Sequence, residues 1–130
     1  MEAYNIKFNP NLVVFGGFHE QNGSESMEIL MELQNPPDAV FAVNDPVAIG
    51  AYETIQSYNL KVPDDVAVIG FSNNPVSVLV NPPLTTIEQP SYEMGRIAAG
   101  ILIDELMDKN TKQNLRNEVI DTKLIIRDST

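Results

Sequence analysis

Residues 39–43, Ala-Val-Phe-Ala-Val, form an apolar run that stops at Asn44-Asp45-Pro46 and resumes as Val47-Ala48-Ile49-Gly50-Ala51-Tyr52. The first part suits a buried strand. The second has helical spacing, with Ala48, Ala51, Tyr52 and Ile55 along one face. A strand that hands over to a helix through a polar corner is the repeating unit of a parallel sheet, whose neighbouring strands need a crossover between them. That handover constrains the fold more than any other feature of the chain, and it recurs.

An earlier apolar run, Leu12-Val13-Val14-Phe15, closes on Gly16-Gly17 and precedes a segment from Ser24 to Leu33 with Met27, Leu30 and Met31 on one face. The reading is a strand followed by an amphipathic helix, stopped by Asn35-Pro36-Pro37-Asp38. The second helix spans Pro46 to Tyr58, with Asn59 as a left-handed cap. A third strand, Val66 to Phe71, is apolar on both faces and therefore central. A short apolar piece, Val76 to Val80, and a fourth strand, Leu84 to Ile87, follow. Pro90 and Ser91 open the most regular helix, with Met94, Ile97, Ala98, Ile101, Leu102 and Leu106 in its stripe. Residues Asp108 to Asn117 read as a surface turn, and Lys123 to Arg127 as an edge strand. The order predicts an α/β fold of three layers, a mainly parallel sheet with helices on both faces.

Composition narrows the chemistry. With 130 residues, 43% apolar and 20% charged, the chain is a single globular unit. It has no cysteine, so disulfides, thiolate nucleophiles and thiolate metal sites are excluded. The net charge of −10, from 8 Lys and Arg against 18 Asp and Glu, is opposite to the clustered positive charge that binds phosphate backbones or anionic membranes. No apolar run reaches the length of a membrane span, and Met1-Glu2-Ala3-Tyr4 has no basic start or apolar stretch of a signal peptide. The expectation is a cytoplasmic protein.

In parallel sheets ligands bind beyond the carboxyl ends of the strands. Those ends carry Phe18, Asn44 with Asp45, Ser72 and Gln89: a ring, amides, a hydroxyl and a carboxylate. Groups that both donate and accept suit a neutral polyhydroxyl or nucleoside-like solute better than a phosphate. Each has a structural alternative. Asp45 before Pro46 is a good helix cap, which leaves Asn44 free for a ligand. Phe18 either stacks on a ligand or folds back onto the core. His19 is the only histidine, with no nucleophile signature beside it and no second metal ligand at useful spacing. Nucleotide loops, nucleophile elbows and metalloprotease sequences are absent. No catalytic residue, metal or cofactor is expected. A small α/β enzyme using His19 with Asp45 is the competing reading from another class.

Three stretches, "PDAVFAVNDPVAIGAYETIQSYNLKVPDDVAVIGFSN", "NPPLTTIEQPSYEMGRIAAGILIDEL" and "LIIRDS", resemble in order and spacing the C-terminal part of the effector-binding core of the LacI/GalR family of bacterial transcription regulators. The resemblance runs from about Leu12 to the C-terminus. Such regulators join a helix-turn-helix DNA-binding headpiece and a hinge helix to a two-lobed core similar to periplasmic sugar-binding proteins. The resemblance implies that residues 1–130 are a partial C-terminal lobe of a periplasmic-binding-protein-like type I fold, with the headpiece and the other lobe outside this chain. It implies an effector-sensing and dimerising role, with a sugar or related small polar metabolite as the effector. DNA would be bound only through the headpiece. Phe18 then falls at an aromatic that stacks on the effector and Asn44 at an asparagine that hydrogen-bonds it. Ser72 stands where many members have an aspartate that grips sugar hydroxyls. Val47, Ile49, Pro75, Val76 and Val80 match the homodimer surface. A transport receptor of the same two-lobed fold is the alternative.

Overall fold

The structure, a computed structural model, describes Tyr4, residues 7–107 and residues 117–130. Four strands, β1 (Ala39–Phe41), β2 (Ala67–Phe71), β3 (Thr85–Glu88) and β4 (Lys123–Ile125), form one sheet in the order β1-β2-β3-β4. The first two pairings are parallel and the last is antiparallel, which is the expected α/β class. Among the described residues three helices accompany it: α1 (Glu20–Met31), α2 (Asp45–Ser57) and α3 (Ser91–Met107).

The sheet is held by residues that suit pleated, buried backbone. Val40 pairs with Val68, Ile69 with Thr85 and Thr86 with Ile125. Ala42 N donates to Ile69 O at 2.8 Å, carrying the pairing one residue past β1, so the sequence run 39–43 is legible in the ladder. Met27 and Leu30 of α1, Ala48, Ala51, Tyr52 and Ile55 of α2, and Val66, Val68 and Leu84 form the core. Each large side chain buried there stabilises by about 1.5–3 kcal/mol. Asn59 takes φ 58, as expected of a left-handed helix stop.

The two packed helices approach closely through small residues. A β-carbon on Gly23 would overlap Val47 O, and one on Gly50 would overlap Glu20 O. The backbones are fastened there as well: Ser24 Oγ donates to Gly50 O at 3.0 Å, and Thr54 Oγ1 donates to Ser24 O at 3.1 Å.

Two expectations are corrected. The run Leu12–Phe15 is not a strand: Pro10–Leu12 is a 3-10 turn, Val13 is extended, and residues 13–18 do not enter the sheet. A strand is completed by its neighbour's backbone, and here an apolar groove of about 700 Å³ separates this segment from β1. The first helix starts at Glu20, not Ser24, because His19 N donates to Asn22 Oδ1 and secures the first turn. The regular stripe of α3 does form a helix, yet none of its residues is buried. The expected surface turn lies, apart from Asn117, outside the described residues.

The C-terminus returns to the core. Ser129, fully buried, donates from Oγ to Val68 O at 2.6 Å and accepts from Thr85 N at 2.8 Å. Burial pushes the Tyr52 phenol above its ordinary range, opposed by a hydrogen bond with the same serine.

Candidate functional site

β1, β2 and β3 are parallel, so the corners that follow them meet on one rim. Asn44 has extended backbone (φ −155°, ψ 171°), and its Oδ1 accepts from Val47 N at 2.9 Å. It is therefore the cap of α2. The pattern Asp45-Pro46 predicts Asp45 as the cap and Asn44 as free; the roles are exchanged because the helix begins one residue earlier, with Pro46 at its second position. Asn44 still reaches the rim. Its Nδ2 donates to Phe18 O at 2.9 Å, tethering the Gly16-Gly17-Phe18 segment to the end of β1.

Asp45 points inward. It is 0% exposed, and both carboxylate oxygens are engaged: Thr86 Oγ1 donates to Oδ1 at 2.6 Å and Asn74 N donates to Oδ2 at 2.6 Å. That overturns its expected role as an effector contact, since a ligand cannot reach it. The carboxylate instead ties the start of α2 to the loop after β2 and to β3. Gly70 leaves room for it, as a β-carbon there would overlap Asp45 Oδ1.

Ser72 and Asn73 follow β2 with φ 116° and 51°, conformations that cost non-glycine residues strain unless their surroundings impose them. Ser72 N donates to Ile87 O at 2.8 Å, which places Ser72 against the end of β3. Asn73 is held on three sides. Its N–H donates to Thr86 Oγ1 at 3.3 Å, its Nδ2 to Glu88 Oε1 at 3.1 Å, and its Oδ1 accepts from Arg127 Nη2 at 2.7 Å. Gln89 is exposed just beyond.

Phe18 is 65% exposed, so of its two alternatives the ring is free of the core. The structure thus joins Phe18 to Asn44 through a hydrogen bond and Ser72 to the end of β3, and removes Asp45. The 700 Å³ groove takes in Phe18 but none of Asn44, Ser72 or Gln89, so it is a separate apolar feature. Sequence reasoning puts Asn73 and Glu88 at the strand ends without choosing them as contacts, and it misses Arg127. Asn73 had a signal, because asparagine favours left-handed backbone. Arg127, at the end of an apolar edge strand, had none.

Among the residues matched to a dimer surface, Pro75 and Val76 are exposed on the 3-10 turn Pro75–Val78, beside exposed Val78 and Leu79. Val47 and Val80 are half-buried and pack partly against the core, and Ile49 is half-buried as well. Among the described residues no group of three or more His, Cys, Asp and Glu side chains lies together as a metal cage. No described helix is long and apolar enough to cross a membrane.

A parallel sheet with a polar rim at its strand ends, closed by an antiparallel return strand, places the chain in the periplasmic binding protein-like domain family, whose model matches residues 1–130. Its relatives are LacI-family proteins. It is 40% identical over 125 residues to the HTH-type transcriptional repressor CytR of Escherichia coli, covering 96% of this chain and 36% of that protein. A putative LacI transcriptional regulator from Bacillus cereus subsp. cytotoxis superposes with a TM-score of 0.93 at 27% identity, over 99% of this chain and 45% of the other. A transcriptional regulator CelR–cellobiose complex superposes with a TM-score of 0.90 at 32% identity, over 99% and 39%. The chain therefore spans little more than a third of the curated relative's length. These relatives are regulators, not enzymes.

Proposed function

We propose that this chain is the effector-sensing and self-associating part of a LacI-type transcriptional regulator. Residues 1–130 supply one lobe, and the DNA-binding headpiece and second lobe belong to a longer polypeptide. The observation that carries the reading is the rim itself: an exposed aromatic ring on Phe18, bonded through its backbone to Asn44, with Ser72, Asn73 and Gln89 on the adjoining strand ends. Such a rim stacks and hydrogen-bonds a neutral polar solute, and a sugar is the class favoured, in line with the cellobiose held by the CelR regulator. Effector binding between the lobes favours one lobe arrangement and so shifts the population that grips DNA. The exposed turn 75–79 meets a second copy of the chain. A regulator of this kind works in the cytoplasm and performs no bond-breaking chemistry.

The test is a thermal-shift screen of mono- and disaccharides and nucleosides on the longer polypeptide containing these residues. A specific solute should raise the melting temperature by mass action. Phe18→Ala should then weaken that solute by about 3- to 10-fold, the worth of one aromatic contact. A solute that binds equally well to Phe18→Ala and Asn44→Ala variants would place the site elsewhere.

A further inference from the structure

We propose that Arg127 is a positioning residue that makes the ligand rim and the exposed turn Pro75–Val78 shift as one unit. The proposal rests on the reading of that rim as an effector site and of that turn as the face toward a second copy. Arg127 follows β4, yet its guanidinium turns back across the ends of β2 and β3. Nη2 donates to Asn73 Oδ1 at 2.7 Å; Nη1 donates to Leu84 O at 2.6 Å and to Ser77 Oγ at 3.1 Å. Its backbone N donates to Thr85 Oγ1 at 2.9 Å, so the base of the side chain is fixed too.

Both ends of this bridge are constrained. At the rim, the Asn73 amide cannot flip, because Oδ1 must face the guanidinium and Nδ2 must face Glu88. The strained backbone of Ser72 and Asn73 is thereby imposed from outside. In the turn, Ser77 is the only buried residue, and its hydroxyl also donates to Asn74 O at 2.6 Å. Val76, Val78 and Leu79 around it are exposed. The turn is tied inward by backbone, with Leu84 N donating to Ser77 O at 2.8 Å and Asn74 N to Asp45 Oδ2 at 2.6 Å. Its one buried side chain, Ser77, is held by the same cation that holds the rim. A flat guanidinium with two terminal nitrogens can span both partners; a lysine ammonium is a single point and holds one of them. A solute that moved Ser72 and Asn73 would draw Arg127, and with it Ser77 and the apolar side chains presented by the turn.

The test needs no effector. Amide hydrogen exchange at Ser77 and Leu79, whose N–H groups bond Asn74 O and Val76 O, reports the turn, while amides inside α2 report global stability. Asn73→Ala should speed exchange at Ser77 and Leu79 about tenfold relative to α2. Adding it to Arg127→Gln should change them less than about twofold beyond Arg127→Gln alone, the non-additivity expected of one network. Arg127→Lys should preserve the fold and lose most of this coupling. Glu88→Ala leaves the arginine's own contacts in place, removes the acceptor of Asn73 Nδ2 and should still speed the turn by a few-fold. Should Asn73→Ala and Glu88→Ala leave the turn untouched, or should the effects of Asn73→Ala and Arg127→Gln multiply, the bridge is structural only and the proposal is wrong. Sedimentation of Val76→Glu separates the two readings: unchanged self-association removes the second-copy assignment and leaves the exchange result standing.

Discussion

α2 and α3 carry apolar stripes of the same spacing, and they meet opposite fates. Along α2, Ala48, Ala51, Tyr52 and Ile55 are all buried. Along α3, Met94, Ile97, Ala98, Ile101, Leu102 and Leu106 lie on a helix with no buried residue. The glycines make the contrast sharper. Gly50 of α2 sits where any side chain would strike Glu20 O, whereas a β-carbon on Gly95 or Gly100 of α3 meets nothing within 4 Å. Periodicity says that a helix has an apolar face; it does not say what that face lies against. The two helices therefore divide the molecule into a part that completes its own core and a part that offers a surface for packing.

Gly50→Ala is the strongest way to break the comparison. The obstacle is backbone, so α1 and α2 must separate, and the loss should be at least about 3 kcal/mol in urea denaturation followed by circular dichroism. An unchanged midpoint would mean that the helices are not in close contact. Asp45→Ala comes next. It strands Asn74 N and the Thr86 hydroxyl in a fully buried spot and should cost about 2–3 kcal/mol. Asp45→Asn should cost less, since the threonine hydroxyl can turn to accept where it now donates. Equal losses in the two variants would show that charge, not hydrogen bonding, is what the site requires.

The difference between these regions also decides what could be read from the sequence. Strand and helix order from Ala39 onward and the left-handed Asn59 followed from local pattern, and parallel topology puts the ends that carry Asn44 and Ser72 on one edge. Phe18 comes to that edge through a hydrogen bond to Asn44 and not as the end of a strand. The choice between Asn44 and Asp45 turned on a one-residue shift of the helix start, which spacing does not resolve. The run Leu12–Phe15 has strand composition, but pairing is a property of two segments, and β1 presents it only a groove. Arg127 was invisible for a similar reason: its partners at 73, 77 and 84 lie more than forty residues away, and only the returning C-terminus brings them near.

Gly100→Ala is the smallest effect and the one that most sharpens the comparison. In this chain the position faces open space inside a helix, so the substitution should stabilise α3 by about 0.5–1 kcal/mol, the ordinary helix preference of alanine over glycine. The gain should appear as slower amide exchange within residues 91–107 while α2 amides keep their rates. In the longer polypeptide the proposal of a second lobe gives the opposite sign. A helix that combines exposed Leu102, Ile103 and Leu106 with open glycines is shaped for close approach, and a covered Gly100 would then resist a methyl group as Gly50 does. If Gly100→Ala stabilises both forms equally, α3 stays uncovered at that position in the whole protein, and its apolar face is turned elsewhere.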